Sequence, residues 1–415
     1  MSWSILGQAL TALSQWGVLI VVVKFLSPEN VGHFALSLGI VGPLFAFLNL
    51  QLSAIVASDH SRQHDAHTYV VLRSMTSALA LSVVALIVFG GLVAADVSLP
   101  LSLIAGIKLC EAASDLAYGF LQRRERFDQI GLLQVIRGIS SLAVTWGTSA
   151  ISHNLVWVLS SLLLMQALLT VFVDFRALGL PSMPLIARIQ ACLGGQWHFS
   201  AVRTLFSIAL SMGVVVGLNI LTINLPRYWV AGWLGDAAVG IYAALSYTMT
   251  AGNMILGAVC QAALPRLARS YQNDHQAFRT LLGRLFVVAL VSGALGLAFA
   301  AFASQQVLTL LYTPAIGSYR TTFTWIMVAA AVLYPISVTG CALTAARVYS
   351  EQAWVTLFST ISAAIACHVL VPTYGLDGAA MGIAVGFGIK LLGQLTLVLN
   401  LKAAHASHSY TQGAL

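Results

Sequence analysis

The chain has 415 residues, of which 59% are hydrophobic and only 8% are charged, and its formal net charge is +7. Soluble domains carry about 25% charged residues, so this composition excludes a water-soluble globular protein and requires a surface that faces lipid. In so apolar a chain the cationic excess belongs to cytoplasmic loops and anionic headgroups, and nucleic acid is not an expected partner.

One helical crossing of a bilayer takes about 20 apolar residues, and the chain supplies about twelve such stretches. They lie near residues 4–26, 32–57, 72–95, 98–121, 129–150 and 155–175, then 203–234, 237–263, 281–303, 322–345, 353–371 and 376–401. The reading is therefore an all-α integral membrane protein with about twelve transmembrane helices. The first stretch starts at about Ser4 with no basic residue ahead of it. It runs into a Pro28-Glu29 turn with no A-x-A-like cleavage site, so it is expected to be a retained span and not a signal peptide. Lys24 lies near the outer end of this span, where a long side chain can snorkel to the interface.

Gly42-Pro43 interrupts the second span, and a proline there frees a carbonyl that a neighbour or water must satisfy. The loop that follows holds His60, His64 and His67 beside Asp59 and Asp65. A solvated polar loop accounts for them, since no second cluster completes a ligand set, and no metal site is expected. The fourth span carries Lys108, Glu111, Asp115, Tyr118 and Gln122 at spacings that form one polar stripe down a helix. Gln134, Arg137, Ser141, Thr145 and Thr148 share one face of the fifth span. Folding this hairpin at the Arg123 to Asp128 turn predicts that Arg137 reaches the depth of Asp115. The four charges Lys108, Glu111, Asp115 and Arg137 then form a structural ion-pair network, or a coupling site in which a carboxylate changes protonation.

Residues 177–199, with Pro181, Pro184 and Gly194-Gly195, read as a linker between two six-span halves. The domains are an N-terminal bundle over 1–176, the cytoplasmic linker 177–199, a C-terminal bundle over 200–402 and a cytoplasmic tail over 403–415. A repeat supports the division: Leu26 to Ala35 matches Leu234 to Ala243 at a constant offset, with Gly32 opposite Gly240. Both strings lie between the first and second spans of their half, so the halves are parallel repeats of a pseudo-symmetric protein. In the seventh span Asn224-Leu225-Pro226 breaks the helix next to Arg227, and Lys390 lies near the middle of the last span with Gln394 one turn away. Cations at such depth are candidate substrate contacts.

Arg and Lys alternate between gaps. Arg62, Arg73, Arg123, Arg124, Arg126, Arg176, Arg188, Arg203, Arg266, Arg269, Arg279, Arg284, Arg347 and Lys402 fall in one set of gaps and span ends, while the other set holds Lys24 and Arg320 with Arg227 nearby. The positive-inside rule then places both termini in the cytoplasm. Cys110, Cys192, Cys260, Cys341 and Cys367 are odd in number and lie mostly within or beside spans, so no disulfide framework is implied. The chain has no phosphate-binding loop of the G-x-x-x-x-G-K-[ST] type, no room for a soluble catalytic domain and no catalytic constellation in a water-facing loop. An enzyme is not expected, and neither is a cofactor.

Four strings resemble a known family. They are Leu26 to Ser37, then Lys108-Leu109-Cys110-Glu111-Ala112-Ala113-Ser114-Asp115-Leu116-Ala117-Tyr118-Gly119 with Gln122 and Arg124, then Asn224-Leu225-Pro226-Arg227-Tyr228, and Tyr374-Gly375-Leu376-Asp377-Gly378-Ala379-Ala380. In this order over twelve spans the chain resembles the polysaccharide exporters and O-antigen flippases of lipopolysaccharide assembly. These belong to the multidrug/oligosaccharidyl-lipid/polysaccharide (MOP) superfamily. The resemblance implies two six-helix bundles around a central cavity, in the bacterial cytoplasmic (inner) membrane. It further implies alternating access that moves an undecaprenyl-diphosphate-linked oligosaccharide to the outer leaflet, with a polysaccharide polymerase and glycosyltransferases as associated partners. Arg227 and Lys390 would then contact the anionic headgroup, with Lys24 helping at the outer gate. A multidrug or amphiphile exporter of the same superfamily is the alternative, but it would need carboxylates for organic cations, and the first two spans hold no acid. A polymerase or ligase would need a long outer loop, and the outer gaps are short.

Overall fold

The computed structural model describes residues 2–59, 65–174 and 199–412, and those residues form helices without a strand among them. In chain order they are α1 (Ser2–Phe25), α2 (Pro28–Leu48), α3 (Leu52–Ser58), α4 (Ala66–Phe89), α5 (Ala95–Arg123), α6 (Phe127–Ser152) and α7 (Leu155–Leu169). A π-helical turn, Thr170–Asp174, extends α7. Then come α8 (Phe199–Leu234), α9 (Asp236–Asn273), α10 (His275–Leu311), α11 (Pro314–Gly317), α12 (Arg320–Ala345) and α13 (Tyr349–Gln412). Among the described residues, 10 helices are long and apolar enough to cross a membrane, with Leu10–Phe25 and Phe199–Leu210 as shorter apolar helices. Phe89, Ile151 and Phe302 are 85% or more exposed. Large apolar side chains on the outside of long helices are what a lipid solvent permits, so this is a multi-pass membrane protein.

Local chemistry sets the helix ends. Ser27 caps α2, accepting from the Asn30 N–H, and Pro28 takes a position whose missing N–H costs nothing. Asn154 and Asp274 cap α7 and α10 in the same way. Two of the expected spans share α13, which reverses at Gly375, where φ of 59° suits a residue without Cβ. Its limbs run antiparallel in close contact: a Cβ at Gly378, Gly382 or Gly386 would meet Leu370, Cys367 or Ala363 of the other limb. Small residues on one helical row allow this approach in a membrane, where dispersion replaces the hydrophobic effect between helices.

The chain forms two compact units, Met1–Ala244 and Leu245–Leu415. The boundary lies inside α9, beyond the expected linker at 177–199, which apart from Phe199 falls outside the described residues. The physical reason is that α8 packs antiparallel along α2 within unit 1. Gly213 and Gly217 of α8 lie against Phe47, Gly39 lies against Asn224, Arg227 and Tyr228, and Gly32 lies against Asp236. Unit 1 also buries a core of Leu50, Leu52, Tyr69, Leu116 and Leu205. In unit 2, α12 packs against both α10 and α13 and is buried along most of its length.

Candidate functional site

The charges of the fourth span pair in unit 1, though not with the partners expected for all of them. Lys108 donates to Glu111 at 2.6 Å, one turn away on α5. Asp115, however, accepts from Arg73 of α4 at 3.0 Å, and Arg73 also donates to Asn49 Oδ1 at 2.5 Å. Arg137 pairs with Asp174 at 2.5 Å. The expected Arg137–Asp115 pairing is therefore corrected: Asp115 meets a guanidinium on α4 and Arg137 a carboxylate at the end of α7, because α4 packs against α5 and α7 packs against α6. From the sequence Arg73 reads as a cytoplasmic span end, and Asp174 is not among the residues singled out. A signal for the latter was present, since Gln166, Thr170 and Asp174 recur every four residues down the sixth span.

Around Arg137 the polar groups are closely ordered. Its Nη2 donates to Ser114 Oγ at 2.6 Å, Thr170 Oγ1 at 3.2 Å and Asp174 Oδ2 at 2.5 Å, and its Nη1 donates to Gln166 Oε1. Ser114, Gln166, Thr170 and Asp174 are each 5% or less exposed. In low dielectric such a pair is costly to break, about 3–5 kcal/mol when one partner is removed.

The two proline breaks of this unit meet each other. Pro43 has no N–H to give the Gly39 carbonyl one turn back, and the Tyr228 hydroxyl donates to that carbonyl at 2.5 Å. Arg227, 8% exposed, donates to the Ala35 carbonyl at 3.2 Å. The Pro43 kink is thus satisfied by a side chain of the facing helix, one of the ways a membrane interior tolerates proline. Higher on the same seam the two repeat turns touch reciprocally: a Cβ at Gly32 would strike the Asp236 backbone, and one at Gly240 would lie 2.7 Å from the Pro28 carbonyl. Gly32 corresponds to Gly240 and Pro28 to Asp236 in the repeat, so this contact has the symmetry of the repeat itself. His33 and Asp236 add a 3.2 Å hydrogen bond beside it. Lys24 is exposed in the last turn of α1.

Unit 2 holds Lys390. Gly378, Gly382, Gly386, Lys390 and Gln394 recur at four-residue steps on α13, so the row that draws its limbs together continues into an ammonium and an amide. Lys390 is 6% exposed, and Gln394, 1% exposed, accepts from Thr339 of α12 at 2.6 Å. Gly340 leaves space beside both Gln352 and Gln394. The described residues contain no group of three or more His, Cys, Asp or Glu able to hold a metal, and His60 and His64 lie outside them.

Residues 1–271 match the family described as polysaccharide biosynthesis protein. The chain is similar to the capsular polysaccharide biosynthesis protein CapF of Staphylococcus aureus, with 22% identity over 387 residues that cover 92% of this chain and 94% of that protein. Among solved structures, an inward-facing multidrug resistance transporter of the MATE family in the MOP superfamily superposes with a TM-score of 0.74 at 14% identity, covering 95% of each chain. A MOP superfamily transporter of Pyrococcus furiosus, described as having a binding pocket of reverse polarity, gives 0.69 at 14% identity over 97% of this chain and 94% of that one. The lipid II flippase MurJ in an inward closed conformation gives 0.67 at 12% identity over 94% and 85%. At these identities the structural likenesses establish the fold, while the family match covers more than half of the sequence. The chain belongs to the polysaccharide biosynthesis protein family and is a multi-pass membrane protein with the MOP transporter fold.

Proposed function

We propose that this protein is a flippase that carries an undecaprenyl-diphosphate-linked oligosaccharide from the cytoplasmic to the outer leaflet of the bacterial cytoplasmic membrane, for surface polysaccharide assembly. Both termini are cytoplasmic in this reading, as the alternation of basic residues favours. The observation that carries it is Lys390, an ammonium only 6% exposed in the interior of a protein of the polysaccharide family. A lipid diphosphate is anionic, and a cation held in low dielectric attracts it far more strongly than one in water. Lys390 shares a helix row with Gln394, so charge and amide are offered from one surface.

Alternating access supplies the movement. The reciprocal contact of Gly32 and Gly240, with His33 on Asp236, is the closed outer seam in this reading, and Lys24 lies next to it at the end of α1. When α8 parts from α2, Arg227 leaves the Ala35 carbonyl and becomes a second contact for the headgroup, while the sugar crosses in the cavity and the lipid tail stays in the bilayer. The ion pairs of α4 to α7 keep the N-terminal helices together through this movement or couple them to an ion. The test is a leaflet assay for lipid-linked glycan in cells or vesicles with and without the protein. Outward movement should depend on the protein and fall in Lys390→Ala while membrane insertion stays normal; movement that continues unchanged without the protein overturns the proposal.

A further inference from the structure

The acceptors around Arg137 are set for a cation before the guanidinium is considered. Ser114 donates its hydroxyl proton to the Cys110 carbonyl at 2.9 Å and Thr170 donates to the Gln166 carbonyl at 2.9 Å, so both oxygens turn lone pairs inward. The Gln166 amide donates through Nε2 to Ser141 at 3.2 Å, which aims its Oε1 at the same point. Asp174 supplies the charge, and its second oxygen accepts from Tyr118 at 3.4 Å. The π-helical turn Thr170–Asp174 is the wider helix type often found at functional sites, and it carries both Thr170 and Asp174 into the cluster.

Four hard oxygens, one of them a carboxylate, from α5 and from α7 with its π-helical turn make a ligand set of the kind that oxygen-seeking cations use. Its single negative charge balances a monovalent cation better than a divalent one. We propose that this is an alkali-cation site whose cation is supplied by the chain: the Arg137 guanidinium fills it permanently, and Na+ takes its place when Arg137 is shortened. While Arg137 is present, Asp174 is held by a charge that cannot leave, so the site serves as a fixed joint between α5, α6 and α7, and any coupling ion of the transport cycle acts elsewhere. This inference does not depend on which substrate is carried.

The test is thermal unfolding of the full chain in detergent, with NaCl exchanged for choline chloride at constant ionic strength. The wild-type midpoint should not respond to the exchange. Arg137→Ala should unfold at a lower temperature in choline and recover saturably as Na+ is added, and Arg137→Ala/Asp174→Asn should be indifferent to Na+. A midpoint for Arg137→Ala that ignores Na+ overturns the proposal, as does wild-type stabilisation by Na+ that Asp174→Asn abolishes. If Arg137→Ala yields no folded protein, the double variant decides. Folded double variant means the stranded Asp174 charge is the cost, as the proposal requires; a double variant that also fails to fold means the guanidinium acts through packing, and the idea is wrong.

Discussion

The polar interiors of the two units are built on different terms. In unit 1 two guanidinium groups meet carboxylates, Arg73 on Asp115 and Arg137 on Asp174, with hydroxyl and amide oxygens closing the shell, while Arg227 donates to a backbone carbonyl. In unit 2 neutral groups meet one another: Gln394 accepts from Thr339, Gln352 lies with Gln394 beside Gly340, and Lys390 shares the helix row of Gln394. A carboxylate held by a guanidinium stabilises a joint between helices, whereas in the proposed function Lys390 meets the anionic headgroup. The two interiors should therefore fail differently when mutated.

The sharpest contrast sets Asp115→Ala against Lys390→Ala. The Asp115 side chain is itself 43% exposed, so stranding Arg73 should cost less than breaking a fully buried pair, about 1–3 kcal/mol in unfolding measurements, and reduce the folded yield. Lys390→Ala should keep membrane insertion and cut glycolipid translocation roughly tenfold or more, the loss of about 1.4 kcal/mol or more of headgroup attraction. If Lys390→Ala instead unfolds the protein while Asp115→Ala only slows transport, the comparison is inverted.

Next comes the glycine seam. Gly32→Ala places a methyl on the Asp236 backbone, and overpacking of this kind costs about 1–3 kcal/mol. It should hold the seam apart, raising labelling of a cysteine introduced at His33; labelling that does not change would show that the turns do not close on each other. A smaller effect is expected from Tyr228→Phe, which takes the donor from the Gly39 carbonyl freed by Pro43. Interhelical hydrogen bonds in membranes average about 0.6 kcal/mol, so a shift of this size in thermal unfolding is expected. The smallest is Glu111→Gln. Its pair with Lys108 is one-quarter to one-third exposed, and its loss should cost under about 1 kcal/mol. A larger loss would place Glu111 in the joint with Asp115.

The chain's helical plan was legible because its signals are local. Ser27-Pro28 starts α2 where a cap and an N1 proline predict it, Gly375 turns α13 where the last two spans divide, and the match of Leu26–Ala35 with Leu234–Ala243 announced two turns that prove to touch. The polar stripe on α5 was also legible, since helical periodicity follows from backbone geometry alone. Its partners were not. Periodicity says which residues share a face, and the pairing of Asp115 with Arg73 needs to know that α4 lies beside that face. Likewise the prolines at 43 and 226 read as cavity breaks in isolation, and only the antiparallel packing of α2 on α8 shows that Tyr228 answers the carbonyl freed by Pro43.

By itself, then, the sequence determined a membrane-spanning helical protein, because transfer of apolar segments into lipid and the obligatory internal hydrogen bonding of a spanning helix leave few alternatives. Tertiary structure decided which charge answers which. Arg137 belongs to Asp174, and α8 belongs to unit 1, since a Coulomb partner is chosen by distance across helices and distance along the chain says nothing about it.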